Sequence, residues 1–167
     1  WDCGEYISSA VKLEVTHAPG AALFQLIGAV AAIFGFGDPS KYSVIINAMS
    51  ALFSAFTILF LFWTITHLVR RLLNKDFEEV TFTEEISILF AGVIGALSFT
   101  FSDTFWFSAV EGEVYSMASM FIALLVWLIT KWENEYHEKD NERWLILIFF
   151  ITGLSVGVHM MCMLAIP

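Results

Sequence analysis

The chain has 167 residues, 58% of them hydrophobic and 16% aromatic, with only 15% charged and a mean hydropathy of +0.74. Soluble domains are about half apolar and about a quarter charged, so this composition describes an integral membrane protein whose first partner is the lipid bilayer. A net charge of -9 excludes the basic stripe that nucleic-acid binding requires.

The first element in chain order is a surface helix over about 3–16. Tyr6, Ile7, Ala10, Val11 and Leu13 fall on one side, and Glu5, Ser8, Ser9, Lys12 and Thr16 on the other, the pattern of a helix lying along an interface. His17-Ala18-Pro19-Gly20 ends it, because Pro19 disfavours helix at Ala18 and Gly20 permits a turn. Residues 21–36 form an apolar run too short to cross a bilayer, which takes about twenty residues. Leu23, Phe24, Leu26, Ile27, Val30, Ile33 and Phe34 gather on one face; Gln25, Gly28, Ala29 and Ala32 make a small-residue face suited to close packing.

Four further runs, about 44–68, 86–101, 113–131 and 144–165, are predicted to span. Arg70, Arg71 and Lys75 lie in one connection and Lys131, Lys139 and Arg143 in another; these are all the basic residues except Lys12 and Lys41. Orientation follows Lys and Arg rather than net charge, so both connections are expected in the cytoplasm. Ser102–Gly112 then lies outside. The short 21–36 segment is expected on the outer surface too, which puts residues 1–17 on the same side. Between their ends the spanning runs lack ionisable or amide groups, apart from Asn47, His67 and, toward the outer end of the last run, His159. The predicted fold is an all-α membrane bundle of four spanning helices and two outer-surface helices, a single transmembrane domain over 1–167. Both ends look cut: the chain opens at Trp1 without a basic n-region and stops at Pro167 just after an apolar run.

Two constellations carry candidate chemistry. The first is Ser102 to Tyr115, SDTFWFSAVEGEVY, where Asp103, Glu111 and Glu113 stand among Phe105, Trp106, Phe107 and Tyr115. Carboxylates are costly in hydrocarbon, so they sit at the membrane surface or face a wet cavity. Glu111 and Tyr115 are four apart and would touch on a helix. The plainer alternatives are a solvated helix start, Asp103 as a cap, and an interfacial aromatic belt. The second constellation is Trp1-Asp2-Cys3-Gly4-Glu5. Asp2 as N-cap with Glu5 three residues on resembles a capping box; the functional reading makes Asp2 a general base with Glu5 beside it, and the two are compatible. His17 and His159 are candidate phosphate contacts, whereas His67 reads as a helix-terminus residue. Met160, Met161 and Met163 look like core packing. Cys3 and Cys162 form no metal-ligand spacing and read as small apolar residues, a disulfide being the alternative.

The stretches WDCGEYISSAVKLEVTHAPG, SFTFSDTFWFSAVEGEVYSMASMF and VGVHMMCMLAIP, in that order, resemble a family of large multi-spanning bacterial proteins long labelled a domain of unknown function. That family is related to an animal membrane protein O-mannosyltransferase and looks like a branch of the GT-C glycosyltransferases. The resemblance covers essentially the whole chain. It departs from the family where two prolines usually follow the His and this chain has Ala18-Pro19. It implies a spanning helix before Trp1, further helices after Pro167, and residence in the bacterial inner membrane with the active face periplasmic. It also implies transfer of a sugar from a polyprenyl-phosphate carrier to a Ser or Thr hydroxyl of a polypeptide, with Asp2 as base and Glu5 beside it. Trp1, His17, Asp103, Trp106, Glu111, Glu113, Tyr115 and His159 are the candidate substrate-binding residues. No cofactor is expected; Glu111 and Glu113 orient sugar hydroxyls or, as the lesser alternative, hold a divalent ion. The rival classes are a transporter or channel subunit binding a cation at the outer carboxylates, and a non-catalytic membrane scaffold.

Overall fold

The computed structural model describes residues 2–18, 20–73, 80–137 and 141–165. The described residues are all helix and turn. Among the described residues three helices are long and apolar enough to cross a membrane: α3 (Pro39–Leu72), α4 (Phe82–Thr100) and α6 (Val114–Asn134). Two short helices, α1 (Cys3–Lys12) and α2 (Ala22–Ala32, continued by a 3-10 turn Ile33–Gly35), precede them; α5 (Asp103–Val110) lies between α4 and α6, and α7 (Glu142–Val156) follows.

Local chemistry accounts for the helix starts. Asp38 caps α3 by accepting the Ser40 N–H at 3.0 Å, and Pro39 takes the first helical position, where its missing N–H costs nothing. Thr81 and Glu84 close a reciprocal capping box on α4. The capping box predicted at Asp2 and Glu5 does not form: Asp2 holds the N-cap position but its side chain accepts no cap hydrogen bond, because Glu5 is drawn to the returning chain at His17.

The long helices pack through small residues. On α4, a side chain at Gly92 would meet Thr66 at 2.5 Å and one at Gly95 would meet Ile65 at 2.6 Å, so both glycines let α3 approach closely. Helices α3 and α6 run parallel: Ile46 and Met49 share a core with Val114 and Met117, and further along Trp63 packs against Trp127 at 5.2 Å with the rings tilted by 37°. At the far end Arg71 pairs with Glu133 at 2.6 Å.

The predicted fourth span at 144–165 is broken. Helix α7 stops at Val156, and Gly157 turns its carbonyl to the Leu23 N–H at 3.0 Å, answering a free donor in the first turn of α2. His159 Nδ1 then accepts the Met161 N–H at 3.1 Å, and the chain continues as a 3-10 segment, Met160–Ala165. A backbone carbonyl and an imidazole thus redirect what hydropathy alone reads as one helix.

The predicted surface pair lies as expected beside one end of the bundle. Gly28 of α2 faces Ala10 of α1 and Met49 of α3, and Phe24, Gln25 and Ala32 are buried with it, while Leu26, Val30, Ile33 and Phe34 are exposed. On α1 the predicted sides shift: Tyr6, Ser9 and Ala10 are buried but Leu13 is 62% exposed, having taken a left-handed C-cap conformation (φ 55°). Ser9 is tolerated inside because its hydroxyl donates to the Glu5 carbonyl at 2.6 Å.

Candidate functional site

The end of the bundle that carries α1 also carries α5, the start of α6 and the break after α7. Its centre is the joint between α1 and the turn Glu111-Gly112-Glu113. Cys3 Sγ accepts the Gly112 N–H at 3.3 Å and lies 3.8 Å from Asn47 Oδ1 on α3. Gly112 is buried, and a side chain there would meet Asn47 Oδ1 and Ile46 at 3.0 Å and Ile7 at 3.2 Å. Only glycine lets this turn sit down on α1 and α3. Both cysteines are free thiols, and Cys162 is buried against the Ala118 carbonyl.

Around the joint the titratable groups converge. Glu5 receives the His17 backbone N–H at 2.8 Å and faces His17 Nδ1 at 3.1 Å. These two bonds hold its carboxyl below the ordinary carboxylate range, the backbone donor contributing most. Tyr6 is buried between the rings of His17 and Phe24, at 5.8 and 5.5 Å. Burial pushes its phenol up, and the charges of Asp2, Tyr115, Glu5 and Glu113 add to the shift.

Beside this cluster opens a cleft of about 960 Å³, walled by α5, the turn and the first residues of α6. Asp103, Trp106, Glu111, Glu113 and Tyr115 all line it. Asp2, Glu5, His17 and His159 do not line it; of these, His159 packs its ring against Tyr115 of the cleft wall at 5.6 Å. Trp1 lies outside the described residues, as do Pro19, Lys75 and Lys139.

Two local expectations change. Glu111 and Tyr115 do not pair along a helix, because Glu111 ends α5 in extended conformation and α6 begins only at Val114, with Glu113 at its N-cap position. Asp103 does not cap α5: it is the first helical residue, after Ser102, whose hydroxyl donates back to the Phe99 carbonyl at 2.8 Å. Cys3, Tyr6, Asn47 and Gly112 were absent from the candidate residues. Asn47 carried a signal, a lone amide in an apolar run; Tyr6 and Gly112 were indistinguishable from an apolar stripe and a loop glycine. Among the described residues no group of three or more His, Cys, Asp or Glu side chains is placed to hold a metal ion.

Comparison with known proteins shows the family of the chain. Residues 2–167 match the model of the protein O-mannosyl-transferase TMEM260 N-terminal domain. The chain belongs to this family. It is 31% identical over 156 residues to the mouse protein O-mannosyl-transferase TMEM260, covering 93% of this chain and 19% of that protein. It is 30% identical over 146 residues to the Dictyostelium discoideum protein of the same name, covering 86% of this chain and 15% of that one. The chain thus spans less than a fifth of the length of these TMEM260 relatives. No solved structure matches it. As a TMEM260 N-terminal domain with three membrane-length helices, it is part of a multi-pass membrane protein.

Proposed function

We propose that this domain belongs to a membrane glycosyltransferase that moves a mannosyl group from a polyprenyl-phosphate carrier to a Ser or Thr hydroxyl of a polypeptide. The observation that supports the reading is the joint of α1 with the Glu111–Glu113 turn, where Cys3 Sγ accepts the Gly112 N–H, beside a cleft that Asp103, Glu111 and Glu113 line. The names of the TMEM260 relatives supply the reaction class and the sugar.

In the proposed step Asp2, exposed at the N-cap position of α1, takes the proton of the acceptor hydroxyl. The oxygen attacks the anomeric carbon from the face opposite the phosphate, the anomeric carbon–oxygen bond breaks, and polyprenyl phosphate leaves with the electron pair. Configuration at the anomeric carbon inverts. Glu5, tied to His17, holds α1 in place beneath Asp2. Glu111, Glu113 and Asp103 accept hydrogen bonds from sugar hydroxyls in the cleft, and Trp106 and Tyr115 offer ring faces to the sugar.

The leaving phosphate needs donors where its charge appears. Because the Met161 N–H occupies His159 Nδ1, the neutral ring carries its proton on Nε2 and presents a donor there. The carrier's hydrocarbon has a path as well. An apolar groove of about 250 Å³ runs between α3 and α5, lined by Ala51, Ala55 and Ile58, and shares Phe105, Trp106 and Val110 with the sugar cleft. The active face is periplasmic and the membrane is the bacterial inner membrane in this reading, since Arg70, Arg71, Lys131 and Arg143 lie at the other end.

The test is Asp2→Asn in the full-length protein, assayed for mannosyl transfer to an acceptor peptide by intact mass. Transfer is expected to fall about 10²- to 10⁴-fold, the usual worth of a positioned base, with the melting temperature unchanged. Wild-type transfer in that variant would remove Asp2 from the mechanism.

A further inference from the structure

A second cleft lies at the opposite end of the bundle, roughly 30 Å along α3 at 1.5 Å per residue. Its volume is about 360 Å³, and α3, α4 and α6 enclose it. Trp63, His67 and Arg70 face it from α3, Glu85 from α4, Trp127 and Lys131 from α6. Lys131 Nζ stands 5.9 Å from the centre of the Trp127 ring and has no carboxylate partner among the described residues. Arg70 forms an ion pair with Glu85 at 3.9 Å, which leaves Lys131 as the cation the cleft offers.

The imidazole sharpens the case. Asn134 Nδ2, a donor, lies 3.2 Å from His67 Nδ1, which places the ring proton on Nε2. That Nε2–H is enclosed and meets no acceptor among the described residues. A buried donor without an acceptor costs about 1–3 kcal/mol. The cleft therefore offers positive charge and an unanswered donor, and what would satisfy both is an oxyanion. Below the charged rim its walls are Trp63, Ile88, Leu89 and Trp127, the lining expected for hydrocarbon next to a headgroup.

We infer that this cleft binds the phosphate headgroup of an anionic glycerophospholipid from the bordering leaflet, with Lys131 as its principal cation, His67 as hydrogen-bond donor and the two tryptophans against the first acyl carbons. Basic recesses between spanning helices are suited to such headgroups. The site is independent of the transfer chemistry at the other end.

The experiment is native mass spectrometry of the delipidated full-length protein, given equal amounts of dimyristoyl phosphatidylglycerol and dimyristoyl phosphatidylcholine. Phosphatidylglycerol should be retained over phosphatidylcholine. Lys131→Gln should lower that retention about fivefold, the usual worth of one cation at an anionic surface, while Lys131→Arg keeps it. His67→Phe, which keeps the ring volume, should lower it too. Arg143→Gln, at the same end but outside the cleft, should leave it unchanged. Equal retention of the two lipids, or an equal loss with Arg143→Gln and Lys131→Gln, would overturn the inference. Displacement of phosphatidylglycerol by millimolar inorganic phosphate would overturn the lipid assignment in favour of a soluble phosphate.

Discussion

Glu5 shows how one side chain is claimed by tertiary contacts over local ones. Its spacing from Asp2 fits a capping box, yet its two oxygens go to His17 across a twelve-residue return of the chain. The consequence is a pH dependence with a definite sign. A carboxyl whose folded pKa is depressed contributes stability above its unfolded value, about 4.3, and loses that contribution as pH falls through the folded value. Protection of the His17 amide against hydrogen exchange should therefore be constant from neutral pH to about pH 5 and decline below it. Glu5→Gln should remove the pH dependence, which two-dimensional NMR of the labelled protein would read; a persisting decline would assign it to another group. Two polar residues in the apolar runs, Asn47 and His67, were visible as oddities in the sequence. What they touch was not, because their partners Cys3, Gly112 and Asn134 are 44, 65 and 67 positions away.

At the scale of elements, two glycines carry the packing and behave differently under substitution. Gly112→Ala forces a methyl against Asn47 and Ile46 at 3.0 Å, so the Glu111–Glu113 turn must lift off α1. A loss of about 1–3 kcal/mol is expected from overpacking. It should come with impaired mannosyl transfer, and a denaturation curve together with the peptide assay measures both. Gly92→Leu acts instead between α3 and α4, where even a methyl would meet Thr66 at 2.5 Å. It should lower stability by at least as much, read as a shift in melting temperature in detergent. The broken helix after Val156 teaches a related lesson. Residues 144–165 are apolar enough to read as a single span, and nothing local to Gly157 announces that its carbonyl will serve Leu23. The break came from a partner 134 positions earlier in the chain.

For the whole molecule, the decisive arrangement is that α1, α5 and the start of α6 share one end while Arg71, Glu133 and Glu142 lie at the other. Single cysteines introduced at exposed Ser8 and Thr104 should react with a membrane-impermeant maleimide from the same side of sealed vesicles, and one at Glu142 only from the opposite side. Labelling of Ser8→Cys from the Glu142 side would mean that α2 crosses the bilayer and would separate Asp2 from the sugar cleft.

Hydropathy was enough to establish a helical membrane protein and three of its long helices to within a few residues. Those properties follow from each segment's own transfer free energy, which is additive along the chain. Which partner Glu5 takes, why Gly112 cannot be larger, and where the last apolar run breaks were decided only in three dimensions. Each depends on a hydrogen bond or a close approach between segments far apart in the chain, and such contacts leave no periodic mark on the residues that make them.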